Sequence, residues 1–168
     1  MNSPQHSGAE ETRLVAERTV DASPATVFSL LTDPSKHHLT EPTDWVRGSL
    51  EADPAPITEV GRVFGMDMFH VDAGGHYEMY NQVITLEAER AIAWKPSQYG
   101  ADGTLASGGW VWRYDLAATP AGTRVQLMFD WSETPPQLAG ELGFPPFATE
   151  FLDRSLAALA HAVETVPK

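Results

Sequence analysis

The sequence predicts an α+β domain in which a curved antiparallel sheet of about six to seven strands wraps around one long C-terminal helix. Two stretches carry that expectation. The first is Gly108–Ser132, GGWVWRYDLAATPAGTRVQLMFDWS. There Trp110, Trp112, Tyr114 and Leu116 alternate with Val111, Arg113 and Asp115, and Val125, Leu127, Phe129 and Trp131 alternate with Gln126, Met128, Asp130 and Ser132. A period of two with one apolar face marks a half-buried antiparallel strand. Between the two runs, Pro120 presets φ and Gly122 accepts positive φ, so the chain turns there. The second stretch is Pro146 to Val166, where Phe147, Phe151, Leu152, Leu156, Leu159 and Val163 form an apolar stripe at helical spacing. An aromatic sheet face needs a cover, and this amphipathic helix provides one.

The remaining elements follow in chain order. Met1 to about Glu11 is polar and small, which predicts a disordered N-terminal tail. Thr12–Val20 reads as a first strand with imperfect alternation. Ser23-Pro24 opens a helix, with Ser as N-cap and Pro at the first position. Asp33-Pro34 ends it, since the residue before proline avoids the α region. A short helix over Ser35–Leu39 and a loop over Thr40–Trp45 come next. Val46–Glu51 is a weak strand, Ala52–Val60 a loop, and Arg62–His70 a strand with Phe64, Met66, Met68 and His70 on one face. Gly74-Gly75 turns the chain into a strand carrying Tyr77, Met79, Asn81 and Val83 on one side. A short strand with Ile92 and Trp94 is expected to stop at Pro96. Tyr99–Gly108 is glycine-rich and is read as mobile. Glu133–Pro146 is a Pro/Gly-rich connection with a helical turn around Leu138–Leu142.

The 168 residues favour one domain, spanning residues 12–168, and suffice for a real core. Eleven Lys and Arg against 23 Asp and Glu give a net charge of −12. A field of that sign repels phosphate backbones and anionic lipid surfaces, which argues against nucleic acid and membrane as partners. The absence of cysteine excludes disulfides, thiolate catalysis and cysteine metal sites. The N-terminus lacks the basic and apolar regions of a signal peptide, and no run approaches a membrane span, so a cytoplasmic location is expected. Neither phosphate loop, dinucleotide fingerprint nor G-x-S-x-G is present. No cofactor is expected, and the oligomeric state is left at monomer or homodimer.

The order of elements, the start VDASPATVFSLLTDPSKH, the run NQVITLEAERAIAW, then GGWVWRYDL, GTRVQLMFDWS and the C-terminal SLAALAHAVE resemble the START-like (Bet v 1-like, SRPBCC) superfamily. More narrowly, the chain is similar to proteins labelled polyketide cyclase/dehydrase. The resemblance runs from about Thr12 to Val166 and implies a helix-grip fold with a hydrophobic cavity under the long helix. It supplies no motif that names a reaction, because this fold hosts lipid carriers, receptors and cyclases alike.

Candidate ligand-binding residues come from the inward faces. Phe64, Met66, Met68, Trp94, Trp112, Tyr114 and Phe129 either line a cavity or are plain core. Tyr77 and Asn81 share the inward side of their strand. A buried amide must find partners, so Asn81 either orients a ligand oxygen or bonds a neighbour. His70, on the methionine face, is the better acid–base candidate among the histidines, or else a rim or capping residue. His37-His38 are adjacent and diverge on a helix, so they make no metal pair, and no metal site is expected. On the long helix, Phe151 and Ser155 point at the cavity, whereas Arg154 lies off the stripe.

These residues support a carrier or sensor of a small hydrophobic molecule held between sheet and helix, gated by Tyr99–Gly108 and Glu133–Pro146. The alternative is a polyketide cyclase or dehydratase-like enzyme, which needs convergent polar groups in the cavity. No catalytic residue is named for it. A third reading, an interaction module using the sheet's outer face, has only Met128, Val111 and Ile84 to offer, and they are scattered.

Overall fold

The structure, a computed structural model, describes residues 12–164. The expected N-terminal tail, and residues 165 and 166 of the stretch expected to be helical, lie outside that range. Eight strands form one antiparallel sheet: β1 (Arg13–Val20), β2 (Val46–Ser49), β3 (Val63–His70), β4 (Gly75–Glu87), β5 (Ala91–Tyr99), β6 (Leu105–Ser107), β7 (Val111–Thr119) and β8 (Gly122–Asp130). Their order is β1-β8-β7-β5-β4-β3-β2, with β6 paired to β5 off that path. The helices are α1 (Pro24–Leu31), α2 (Pro136–Leu142) and α3 (Thr149–Glu164), and a 3-10 segment covers Pro34–Thr40. The sheet curls, aided by register breaks between Val46 and Gly48 in β2 and between Val83 and Thr85 in β4.

Local chemistry places most boundaries. Ser23 caps α1 by accepting from the Thr26 amide at 3.2 Å, with Pro24 in the first turn. Asp33 repeats the device for the 3-10 segment, accepting from Ser35 N at 3.0 Å. At the β7–β8 turn Gly122 has φ 139°, and a Cβ there would stand 2.1 Å from the Val20 carbonyl oxygen, so only glycine fits. The inward faces are as the alternation reads. Tyr114, Leu116, Val125, Leu127 and Phe129 are buried, while Arg113 and Asp115 pair with each other on the outer face at 2.8 and 2.9 Å.

Three expectations need correction. β5 does not stop at Pro96 but runs to Tyr99, with Pro96 opposite Asn81. Proline is tolerated because pairing to β7 ends at Trp94 and pairing to β6 begins at Ser97, which leaves residue 96 without a ladder partner on that side. The stretch read as a mobile loop contains β6, which pairs Leu105 with Tyr99 and Ser107 with Ser97. The helix expected from Pro146 begins at Thr149 and Phe147 precedes it, stacked on Phe151 at 4.6 Å and on Trp112 at 5.6 Å.

α3 divides along its length. Its C-terminal half buries Leu156, Leu159, Ala160 and Val163 against β1, β8 and α1. Its N-terminal half carries Phe151 and Ser155, which meet a space rather than a packed wall. Among the described residues no helix is long and apolar enough to cross a membrane.

Candidate functional site

That space is a cavity of about 290 Å³ between the inner face of the sheet and the first turns of α3. Its size sits at the lower edge of small-molecule sites, which run from about 300 to 1,000 Å³. The floor comes mainly from alternating positions of β3, β4, β5 and β7, with Val46 of β2 and Phe129 of β8 beside them. Register sets Met66 opposite Met79, Met68 opposite Tyr77, and Trp94 opposite Trp112. The roof is Phe151 and Ser155 of α3. Trp45, Trp110, Leu142 and Phe144 complete the lining. Ring contacts knit the roof to the floor: Phe147 meets Trp112, Phe129, Phe151 and Trp45 at centroid distances of 4.6 to 5.9 Å.

The predicted site residues fall into two groups. Met66, Met68, Tyr77, Asn81, Trp94, Trp112, Tyr114, Phe129, Phe151 and Ser155 all border the cavity. Phe64 and His70 do not. Phe64 is fully buried behind the floor, against His37 and Trp94. His70 lies at the strand end with its side chain 42% exposed, and its Nδ1 accepts from the Asp72 amide at 3.1 Å. It is the capping histidine rather than an acid–base group in the cavity. The long side chains of the inward face are therefore cavity wall, except where β3 enters the hydrophobic core at Phe64.

Several wall residues escaped sequence reasoning: His37, Thr40, Glu41, Trp45, Val46, Pro96, Leu142, Phe144 and Pro146, while Met79 and Trp110 lie on faces that the alternation marks as apolar but were not among the named candidates. Trp45 and Phe144 left a signal, since a large aromatic in a polar or Pro/Gly-rich connection needs a buried home. His37 left none beyond its neighbour. Of the adjacent histidines, His37 turns inward and is buried while His38 faces solvent. Its Nε2 lies 2.7 Å from the Leu31 carbonyl oxygen, and its ring packs on Trp94 at 5.1 Å and edge-on to Phe64 at 5.0 Å. Among the described residues no group of three or more potential metal ligands converges.

The polar groups of the wall are largely engaged with one another. Trp45 Nε1 donates to the Tyr77 hydroxyl at 2.5 Å, Ser155 Oγ to the Thr40 carbonyl at 2.6 Å, and Thr40 Oγ1 to the His37 carbonyl at 2.8 Å. Glu41 accepts from the Thr43 hydroxyl at 2.6 Å. Burial raises the pKa of Tyr77 and of Tyr114, so both phenols stay neutral. Burial also lowers the His37 pKa to about 4, against the opposing pull of the Leu31 carbonyl, so this imidazole is neutral at pH 7. A second depression, about 600 Å³, lies at the other end of α3 around Asp21, Pro24, Pro120 and Val163. It is larger but has no aromatic wall and opens between loops, so the aromatic cavity is the better site.

Solved structures with the same fold span nearly the whole chain. Protein CV1439 from Chromobacterium violaceum is 18% identical, with a TM-score of 0.64, covering 93% of this chain and 100% of that one. Protein NE0264 from Nitrosomonas europaea is 19% identical, with a TM-score of 0.63 over 92% of this chain and 96% of its own. Protein Ms6760 from Mycobacterium smegmatis is 13% identical, with a TM-score of 0.64 over 91% of each chain. At such identities the likeness speaks for the fold alone. The chain matches no curated protein sequence. The helix-grip arrangement and its aromatic cavity accompany a sequence match that runs over residues 11–164, and by that match the chain belongs to the polyketide cyclase/dehydrase and lipid transport family.

Proposed function

We propose that this protein is a carrier or sensor that binds a small hydrophobic molecule in the cavity between the sheet and α3. One observation carries the reading. The same inward positions that should close a core, Met66, Met79, Trp94, Trp112 and Phe151, instead surround about 290 Å³ of space. Close-packed interiors hold few voids larger than a water, and an apolar void of this size is costly unless something fills it. Rings and thioethers complement an apolar guest of variable shape.

A second reading, an enzyme of the cyclase or dehydratase type, is favoured by the neutral imidazole of His37 on the wall. A base with a pKa of about 4 is a weak proton acceptor at pH 7, which ranks this reading second.

The test separates binding from folding. Met79 borders the cavity and is only half-buried, so Met79→Trp adds volume to the space with little clash. Naphthalene is titrated into ¹⁵N-labelled protein and the indole N–H signals are followed. The wild type is expected to shift the signals of Trp45, Trp94 and Trp112. Met79→Trp is expected to weaken binding by about 10-fold or more while its melting temperature changes little. No indole shift in the wild type, or undiminished binding in the variant, would sink the cavity as a ligand site.

A further inference from the structure

We propose that His37 and Asn81 together form a recognition point for the hydroxyl group of an uncharged, ring-containing guest. The inference rests on the cavity reading above and specifies the chemical class of ligand.

Most polar side chains of the wall are already engaged within the protein. Tyr77, Thr40, Ser155 and Glu41 each have a partner within the protein. The Tyr114 hydroxyl lies with those of Thr40 and Ser155. Asn81 is different. It is 7% exposed and borders the cavity, and its side-chain amide makes no hydrogen bond among the described residues. His37 is 6% exposed and borders the same cavity. With Nε2 donating to the Leu31 carbonyl, its tautomer is fixed and Nδ1 carries a lone pair with no partner among the described residues. Thr134 Oγ1 is the sole buried, unpartnered side-chain atom fully closed off among the described residues, so the free atoms of Asn81 and His37 open onto space. That space is the cavity.

The two groups share neighbours. His37 packs on Phe64 and Trp94, while Asn81 sits opposite Phe64 in β3 and opposite Pro96, two residues beyond Trp94, in β5. They flank the same pair of rings. The sign of the match follows from the atoms. The His37 lone pair calls for a donor, and the Asn81 NH₂ calls for an acceptor. A hydroxyl is both at once. Trp45 gives its N–H to Tyr77, and the other indole N–H groups of the wall donate only, so they offer partners for an oxygen and none for a proton. A carboxylate brings acceptors alone and would set them against the His37 lone pair. No Lys or Arg lines the cavity to offset its charge, and Glu41 adds a negative one. An unpaired charge in such a site is disfavoured far more than a neutral hydroxyl. The flat walls of Trp94, Trp112 and Phe129 select a ring over a flexible chain.

Three probes of one shape decide the matter by calorimetry at pH 7: naphthalene, 2-naphthol and 2-naphthoate. The expected order is naphthol tighter than naphthalene by about 3- to 10-fold, the worth of a neutral hydrogen bond, with naphthoate at least about 10-fold weaker than naphthol. Asn81→Leu should erase most of the hydroxyl preference, read as the ratio of naphthol to naphthalene affinity within the same variant. In wild-type protein labelled with ¹⁵N, naphthol but not naphthalene should move the Nδ1 resonance of His37 in the direction of a newly accepted hydrogen bond, a readout that survives any misfolding of the variant. If naphthol binds no better than naphthalene, or naphthoate equals naphthol, the hydroxyl proposal is overturned and the cavity reading stands. An unmoved His37 resonance overturns it as well. If none of the three binds, the cavity reading itself falls.

Discussion

The chemistry of His37 shows how much one buried residue can report. Its ring is held between Phe64 and Trp94 and tethered to the Leu31 carbonyl, and burial outweighs that tether in lowering its pKa from 6.5 to about 4. Asp33 opposes the shift and His38 adds slightly to it. The consequence for stability has a definite sign. Above about pH 6.5 the imidazole is neutral whether the chain is folded or not, and its burial is without pH cost. As pH falls from 6.5 toward 4, the unfolded chain takes up a proton that the folded one refuses, so stability is lost through that window. The full loss is about 3 kcal/mol. Urea unfolding at pH 7 and pH 4.5, in wild type and His37→Gln, isolates this group from the carboxylates. The wild type should lose about 2–3 kcal/mol more than the variant between the two pH values. Equal losses would mean that His37 is solvated, and its place on the cavity wall would be wrong. Sequence reasoning saw only two adjacent histidines that diverge. Which one turns inward is decided by the phase of the 3-10 segment and by the aromatic pair waiting beneath it, and neither is visible locally.

Among the elements, the 3-10 segment and α3 are joined at one point where cavity and scaffold meet. Ser155 Oγ donates to the Thr40 carbonyl across 115 positions of sequence. The serine borders the cavity, yet its hydroxyl is committed to this tie. Ser155→Ala removes the donor and leaves a part-buried carbonyl short of a partner, which costs about 1–3 kcal/mol. Thermal melting should register a drop of about 2–12 °C with unchanged secondary structure. A neutral outcome would show that the segment is held by His37 and its rings alone. The elements themselves were largely legible. Strict alternation marked β7 and β8, Ser23-Pro24 marked the start of α1, and Asp33-Pro34 marked its end, whereas the role of Asp33 as a cap for the next segment went unread. What failed did so for tertiary reasons. Pro96 is accommodated by a gap between neighbouring strands, β6 is held by pairing rather than by composition, and Phe147 is drawn off the helix by a stack of rings. The cavity floor could be read from period-two patterns. The part lined by Trp45 and Phe144 could not, because both lie in irregular backbone where no periodicity assigns a face.

For the whole molecule, charge is the property that no single contact reveals. The ion pairs are mostly exposed, such as Arg124 with Glu17. Each is worth between about zero and 1 kcal/mol and weakens in salt. Against them stands an excess of acidic groups: 23 Asp and Glu over 11 Lys and Arg leave 23 − 11 = 12 negative charges without a basic counterpart. Repulsion within that excess opposes the compact state and is also screened by salt. The two effects therefore push melting in opposite directions as salt is added. Because pairing can use at most 11 of the acidic groups, repulsion is the larger, and added salt should stabilise the fold. Raising NaCl from about 0.01 to 0.15 M shortens the screening length from about 30 to 8 Å, below the spacing of most surface charges. The melting temperature at pH 7 should rise by about 2–5 °C, and KCl should act equally, since screening is blind to the cation. The same field bears on the cavity, whose lining includes Glu41 and no basic side chain. It discourages anionic guests from a distance, as the lone pair of His37 discourages them on contact. A melting temperature that falls with salt would show that the ion pairs outweigh the repulsion, and the long-range part of that selectivity would then have no source.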